Sequence, residues 1–283
     1  MAESWYAEGR YVVSPHNYAP EVRQGLDLPP DGRVTIFDGT IRKVLMMPGA
    51  RARVADTVRL GEMLAELGIT ESLLIVQWRG DTQPVELELE AARALLARNL
   101  PINFTVATDV AMTDQWKLAV DCPRDVGARM IDIMLPATDG MIRQAGTTRE
   151  GVLERMDEVF AYAHEQKLTP AFTLADAARC DLEFLVQLCN HALALGAVRF
   201  DLSDSAGTMS PDAMRYFIRT LRGRLTRAVP ITVHVHDDFG LATASAVAAT
   251  TAGALPEASV TGASYRSGFA ALEEVALALE ALY

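Results

Sequence analysis

Cysteine is scarce in this 283-residue chain: Cys122, Cys180 and Cys189 form an odd set without Cys-x-x-Cys spacing. That argues against a disulfide framework and for a reduced compartment, so the cytoplasm is expected. Basic runs are missing too. Lys and Arg number 26 against 37 Asp and Glu, a net charge of −11. With no stripe of basic and aromatic residues, nucleic acid is not an expected partner, and the acidity serves solubility. Every long apolar stretch meets a charge before the ~18 residues that a membrane helix needs. The N-terminal Met1-Ala-Glu-Ser-Trp-Tyr6 lacks the basic-then-apolar layout of a signal peptide. No membrane partner is expected. There is no low-complexity segment and no interior linker.

What is present is a chain half hydrophobic, enough for a large core. Residues 1–32 are rich in aromatics and proline (Trp5, Tyr6, Tyr11, Tyr18, Pro15, Pro20, Pro29, Pro30) without periodicity. They read as an arm that packs on the main body or on a partner subunit. From Arg33 onward β-rich runs alternate with helical patterns. The strand candidates are Val34–Phe37, Ser72–Val76, Ile102–Ala107, Met130–Met134, Pro170–Thr173, Val198–Leu202, Ile231–His236 and Ala258–Thr261. Between them Val152, Leu153, Met156, Val159, Phe160 and Ala163 recur at helical spacing, as do Leu182, Leu185, Val186, Leu188 and Cys189. Thr148 with Glu150, and Ser210-Pro211-Asp212, are helix-start signals. Eight strands alternating with helices over about 250 residues predict a single (β/α)8 barrel across 33–283. A doubly wound open sheet would ordinarily carry Gly-x-Gly-x-x-Gly after its first strand, and Gly39 stands alone there.

In such a barrel the working residues follow the C-terminal ends of the strands. Those positions hold Asp38, Arg42 and Lys43, then Thr108-Asp109, Thr138-Asp139, Asp201 and Asp204, His234 and His236, and Tyr265-Arg266. Their convergence describes a small-molecule site. His234 and His236, at i and i+2 of a strand, share one face. Paired imidazoles bind a divalent metal or move a proton, and equally serve as hydrogen-bonded core groups.

Four stretches together resemble the DRE-TIM metallolyase superfamily, which contains the isopropylmalate, homocitrate and citramalate synthases and hydroxymethylglutaryl-CoA lyase. They are Asp38-Gly-Thr-Ile-Arg42, Asp204-Ser-Ala-Gly207 with Pro211, His234-Val-His236-Asp-Asp-Phe-Gly-Leu-Ala, and Tyr265-Arg266-Ser-Gly268-Phe-Ala-Ala-Leu-Glu273-Glu. The resemblance runs from Val34 to the C-terminus and leads us to expect no regulatory C-terminal domain of the isopropylmalate synthase kind. It implies C–C bond chemistry next to a carbonyl, with a divalent metal polarising a 2-oxo or 2-hydroxy acid. It implies that His234 and His236 match two metal ligands, and that Arg42 matches the arginine that steadies an enolate oxygen. A homodimer is expected on the same resemblance.

The departures from that pattern fall on the metal. Lys43 stands where the family has its metal-binding aspartate, Phe269 where it has an asparagine ligand, and Tyr265 where it has a loop glutamate. No carboxylate occurs in Leu73-Leu-Ile-Val76, where a further glutamate is expected. Two unit charges ~4 Å apart repel by about 4 kcal/mol at an effective dielectric of about 20, so an ammonium at a metal's first shell is costly. Catalytic divalent ions ordinarily have three protein ligands. The expectation is therefore a metal-independent enzyme without cofactor, acting on a small carboxylate. Arg42, Lys43, His234 and His236 are the candidate catalytic residues; Asp38, Thr138, Asp204, Tyr265, Arg266 and Phe269 are the candidate substrate contacts. Lys43 would pair with a carboxylate, polarise a carbonyl, act as a base or form a Schiff base, or else turn out to solvent. One alternative is a rearranged metal set using Asp204, Asp237 or a carbamylated Lys43. Another is Mg2+, Mn2+ or Zn2+ at His234 and His236 with acetyl-CoA as co-substrate, as in an isopropylmalate synthase-like acyltransferase. The last is a non-catalytic homologue. Asp176 and Arg179 read as an ion pair, Met46, Met47 and Met112 as packing. No cysteine occupies the strand-eight loop, which counts against hydroxymethylglutaryl-CoA lyase activity.

Overall fold

The computed structural model describes residues 13–79 and 83–283, with the backbone of residues 6, 7, 10 and 11, and in it eight parallel strands close into a barrel in chain order. They are β1 (Phe37–Asp38), β2 (Glu71–Val76), β3 (Asn103–Thr108), β4 (Met130–Pro136), β5 (Thr169–Ala175), β6 (Phe200–Asp204), β7 (Ile231–Val235) and β8 (Leu255–Ala258). β8 pairs with β1 through Glu257↔Phe37 and Ala258↔Asp38, which closes the ring. The (β/α)8 architecture is thus the one observed, and not the open sheet.

Ten helices follow the strands or extend their crossovers: α1 (Thr40–Met46), α2 (Val54–Glu66), α3 (Glu86–Ala97), α4 (Leu118–Asp125), α5 (Asp139–Gln144), α6 (Arg149–Glu165), α7 (Leu182–Ala194), α8 (Pro211–Arg222), α9 (Ala242–Thr250) and α10 (Leu272–Leu282). The two start signals are real caps: Thr148 Oγ1 accepts from Gly151 N at 3.1 Å and Ser210 Oγ from Ala213 N at 3.3 Å.

Two strands differ from the sequence reading. β1 begins at Phe37 rather than Val34, and β8 lies three residues ahead of the expected Ala258–Thr261. Pro256 and Glu257 resemble a turn on propensity, since proline gives no N–H and glutamate is depleted in strands. The run Val260–Gly262, which looked more strand-like, is a 3-10 turn.

Strand alternation sorts the two faces. Phe172 and Phe200 face the helices: Phe172 stacks edge-on with Phe200 at 6.3 Å and with Phe160 of α6 at 6.0 Å. Thr173 and Asp201, one residue further on, therefore point into the barrel, as do Thr232 and His234, which alternate with the core residues Ile231, Val233 and Val235. The interior is partly apolar (Phe37, Leu73, Ile75, Ala107) and partly charged.

Residues 18–27 of the arm lie against the barrel's own later elements. Tyr18 Oη donates to the Ala281 carbonyl at 2.7 Å, Asp27 N donates to Thr251 O at 2.9 Å, and Asp27 pairs with Arg222. Trp5 lies outside the described residues, and of Tyr6 and Tyr11 only the backbone is described. No helix among the described residues is long and apolar enough to cross a membrane.

The helical layer's dependence on its aromatic ladder can be measured. Phe160→Ala is expected to lower the unfolding free energy by about 3–5 kcal/mol in urea titration, while Tyr216→Ala, 68% exposed, should change it by less than about 0.5 kcal/mol.

Candidate active site

Lys43 lies one turn into α1, directly after β1, and its side chain runs into the barrel instead of out to solvent: it is 0% exposed. Its Nζ is 2.9 Å from His234 Nε2 and 3.2 Å from His236 Nε2. The partners of the other ring nitrogens set the tautomers. His234 Nδ1 is 2.7 Å from a Glu257 carboxylate oxygen, and His236 Nδ1 is 3.1 Å from the Gly268 carbonyl. Both oxygens can only accept, so each ring carries its proton on Nδ1 and turns an Nε2 lone pair towards Lys43. The two Nε2 atoms are 3.3 Å apart, and the amine supplies the hydrogens between them and itself. Over this cluster lie Phe269, with its ring 4.4 Å from Nζ, and Tyr265, 5.0 Å from it. Both distances allow cation–π contact.

Burial governs the ionisation here. Desolvation lowers the Lys43 pKa well below its ordinary 10.5, and neighbouring Arg42 lowers it further. Burial also lowers His234 to about 3 and His236 to about 2, so both rings are neutral near pH 7. Burial alone would raise Glu257, but the His234 N–H, Arg42 and Lys43 outweigh it and hold the carboxylate ionised. Asp201 goes the other way: burial, then the charges of Glu257 and Asp132, push its pKa well above the ordinary 3.8. Arg42 reaches Glu257 at 3.7 Å and is buried as well.

The expected substrate contacts divide in two. Tyr265 and Phe269 are at the cluster. Arg266 is exposed and ties three loops together, bonding the Ser205 carbonyl and, at 3.0 Å, Asp238. Asp38, Thr138 and Asp204 hold backbone. Asp38 accepts from Thr40 N at 3.1 Å and Ser72 Oγ at 3.0 Å, with burial raising its pKa to about 6. Thr138 caps α5 through Met141 N. Asp204 accepts from Thr208 N and Met209 N, each at 2.9 Å. Asp237 accepts from Ala242 N, the first residue of α9, at 2.8 Å. Asp176 and Arg179 form the expected ion pair, at 2.8 Å. Glu257 escaped the sequence reading because β8 was placed after it; its one signal was a carboxylate between two small residues just before the Val260 turn.

Glycines let these pieces meet. A Cβ on Gly39 would come within 2.6 Å of Glu257 Oε1, and one on Gly207, at φ +58°, would collide with the His236 carbonyl.

A divalent ion does not fit between the histidines. The point both Nε2 lone pairs address is held by Nζ, and the next wall is the Phe269 ring, which offers no oxygen. Asp201, His234 and Glu257 form a second grouping, with one potential ligand atom each within 4.8 Å of the others. Its shortest link is the His234–Glu257 hydrogen bond, already filled by a proton, and Arg42 already balances Glu257.

Comparison with known proteins fits this geometry into a family. The HMGL-like family model matches residues 33–283. A putative (R)-citramalate synthase of Methanopyrus kandleri is 34% identical over 259 residues, 91% of this chain and 49% of that protein. A homocitrate synthase of the same organism is 32% identical over 94% of this chain and 64% of its own length. The 2-isopropylmalate synthase of Sulfolobus acidocaldarius is 32% identical over 88% of this chain and 63% of its own. The chain thus spans about half to two thirds of these relatives. Among solved structures, hydroxymethylglutaryl-CoA lyase from Pseudomonas aeruginosa superposes with a TM-score of 0.74 at 18% identity, covering 90% of this chain and 88% of that one. The carboxyl transferase domain of Rhizobium etli pyruvate carboxylase gives 0.68 at 17%, covering 88% and 44%. These two are likenesses of fold. By its closed barrel, the order of its motifs and the family match over 33–283, the chain belongs to the HMGL-like family, within the DRE-TIM superfamily.

Proposed function

We propose that this protein makes or breaks a C–C bond next to a carbonyl in a small carboxylated substrate, a 2-oxo or 2-hydroxy acid, without a divalent metal. The observation that carries this reading is Lys43 Nζ, held at 2.9 and 3.2 Å by two imidazole lone pairs. An N–H donor there, or the positive charge of the nitrogen once it is protonated, stabilises the enolate oxygen that develops as the bond breaks. Arg42 adds a second cation with an unpartnered buried Nε. His234 and His236, neutral and with a lone pair on Nε2, are the proton acceptors. The adjoining interior of Phe37, Leu73, Ile75 and Ala107, with Met46 and Met134 packed on it, favours a substrate with an apolar portion. Its low polarity strengthens each charge contact.

Elemental analysis and chelator titration test the reading. Expected are less than one divalent ion per chain and turnover of a 2-oxo acid that survives chelation; a stoichiometric ion required for turnover refutes it. Lys43→Ala should lower kcat by about 10^2–10^3, the loss typical of one oxyanion-stabilising donor. Lys43→Asp with Phe269→Asn should acquire Mn2+ or Zn2+ binding, read by calorimetry. The relatives' names favour a second reading, a metal-dependent acyl transfer, which predicts activity with acetyl-CoA that rises with added Mg2+, Mn2+ or Zn2+.

The neutral imidazoles give a pH prediction. In the unfolded chain a histidine takes up its proton below about 6.5, whereas folded His236 stays neutral to about 2. The unfolded state therefore binds more protons below pH 6.5, and stability present above that pH is lost as pH falls, at up to about 1.4 kcal/mol per unit for each ring. His236→Asn should flatten the stability curve between pH 6.5 and 4 in urea titrations. An unchanged slope would contradict a neutral His236.

A further inference from the structure

We propose that Lys43 is a nucleophile that forms an imine with the oxo carbon of the substrate, its proton accepted by His234 under the hold of Glu257. The inference rests on the metal-free reading above and gives the positive charge a covalent form. Glu257, His234 Nδ1–Nε2 and Lys43 Nζ stand in one line of hydrogen bonds, 2.7 and 2.9 Å. A carboxylate that orients an imidazole, which in turn faces a nucleophile, is the general arrangement for activating a weak nucleophile. An amine needs only two hydrogens to satisfy both Nε2 lone pairs, so its third position, facing Phe269 and Tyr265, is free to carry the electron pair. The residue type matters as well. Only three of the 26 basic side chains are lysine, and the other two, Lys117 and Lys167, are exposed. A guanidinium would supply the charge but not the nucleophile.

Access runs through the loop that bears Tyr265. It lies between Gly262 at φ +64° and Gly268 at φ +114°, and Tyr265 is only half buried. On this proposal the loop opens to admit the substrate to Nζ beside the Phe269 ring.

In the step itself, the Nζ lone pair adds to the oxo carbon and the C–O π bond breaks. One amine hydrogen passes to that oxygen by way of His234 Nε2, a second proton reaches it from solvent, and water leaves as the C=N bond forms, with the remaining amine hydrogen kept on the nitrogen. The protonated imine accepts the electron pair of the adjacent C–C or C–H bond when it breaks and returns it when the new bond forms. Water then hydrolyses the imine. No oxidant, reductant or metal is needed.

The test is hydride trapping on the full chain. Pyruvate, 2-oxobutyrate and 2-oxoisovalerate are each added with sodium borohydride, and the peptides are mapped by mass. The expected result is a stable secondary amine on Lys43, with a mass gain equal to the acid less one oxygen atom, and none on Lys117 or Lys167. Lys43→Arg should abolish trapping, and Glu257→Gln should slow it by about 10^2-fold, the scale of a general-base contribution. No adduct on Lys43 with any of the three acids, or equal labelling of all three lysines, overturns the proposal. Chelator-resistant turnover without an adduct would overturn the imine alone, whereas turnover that needs a stoichiometric ion would overturn both readings.

Discussion

The barrel mouth depends on one pair of contacts, from the Lys43 amine to the Nε2 atoms of His234 and His236. Take the donor away and two buried lone pairs face each other at 3.3 Å, each an unsatisfied acceptor worth about 1–3 kcal/mol. The arrangement follows from elementary geometry. A two-residue step along β7 puts both rings on the interior face, and the Glu257 and Gly268 oxygens take the Nδ1 protons. What remains is a position that only a cation or a hydrogen-bond donor can occupy, and α1 delivers an amine there.

The charge this introduces is matched below it. Inside the barrel Arg42 faces Glu257 at 3.7 Å, while Arg199 lies 3.8 Å from Asp132, donates to Thr105 Oγ1 at 3.1 Å and stacks on the Phe37 ring at 4.3 Å. An unpaired buried ion would cost several kcal/mol, so cations and carboxylates must nearly cancel. Burial raises Asp201, Asp132 and Asp38, whereas Glu257 is lowered by His234, Arg42 and Lys43 and is the carboxylate that faces Arg42. Lys43 is therefore one member of an interior network, in which Glu257 opposes the burial and the Arg42 charge that lower its pKa.

How legible this was differs from part to part. Barrel class, six strands nearly to the residue, and the helix starts at Thr148 and Ser210 follow from periodicity and caps, because each is a local property of the chain. The pairing of Lys43 with two histidines some 190 positions away was visible only through the order of the motifs. Glu257, Asp132 and Arg199 were not recognised at all. A charged residue pointing into a barrel looks like a residue on a solvated turn until its partners are known, and for Glu257 those partners lie on β7 and α1. Asp38, Thr138 and Asp204 show a role that the sequence reading did not give them. Polar residues at strand ends read as substrate contacts, yet loop backbone already uses their oxygens.

That division between backbone-holding and chemistry-bearing residues explains how the mouth keeps its shape with an altered set of reactive groups. Gly39 leaves room for Glu257, Gly207 for the His236 carbonyl, and Asp204 and Asp237 fasten the loops after β6 and β7. None of these contacts needs an ion at the histidines. The side chains that set the charge, Lys43 and Phe269, touch the histidines only from inside the barrel, where an amine and a ring fill space and satisfy lone pairs without moving any strand. The scaffold therefore constrains where charge can be placed, and position 43 on α1 is where it delivers an amine to the two imidazoles.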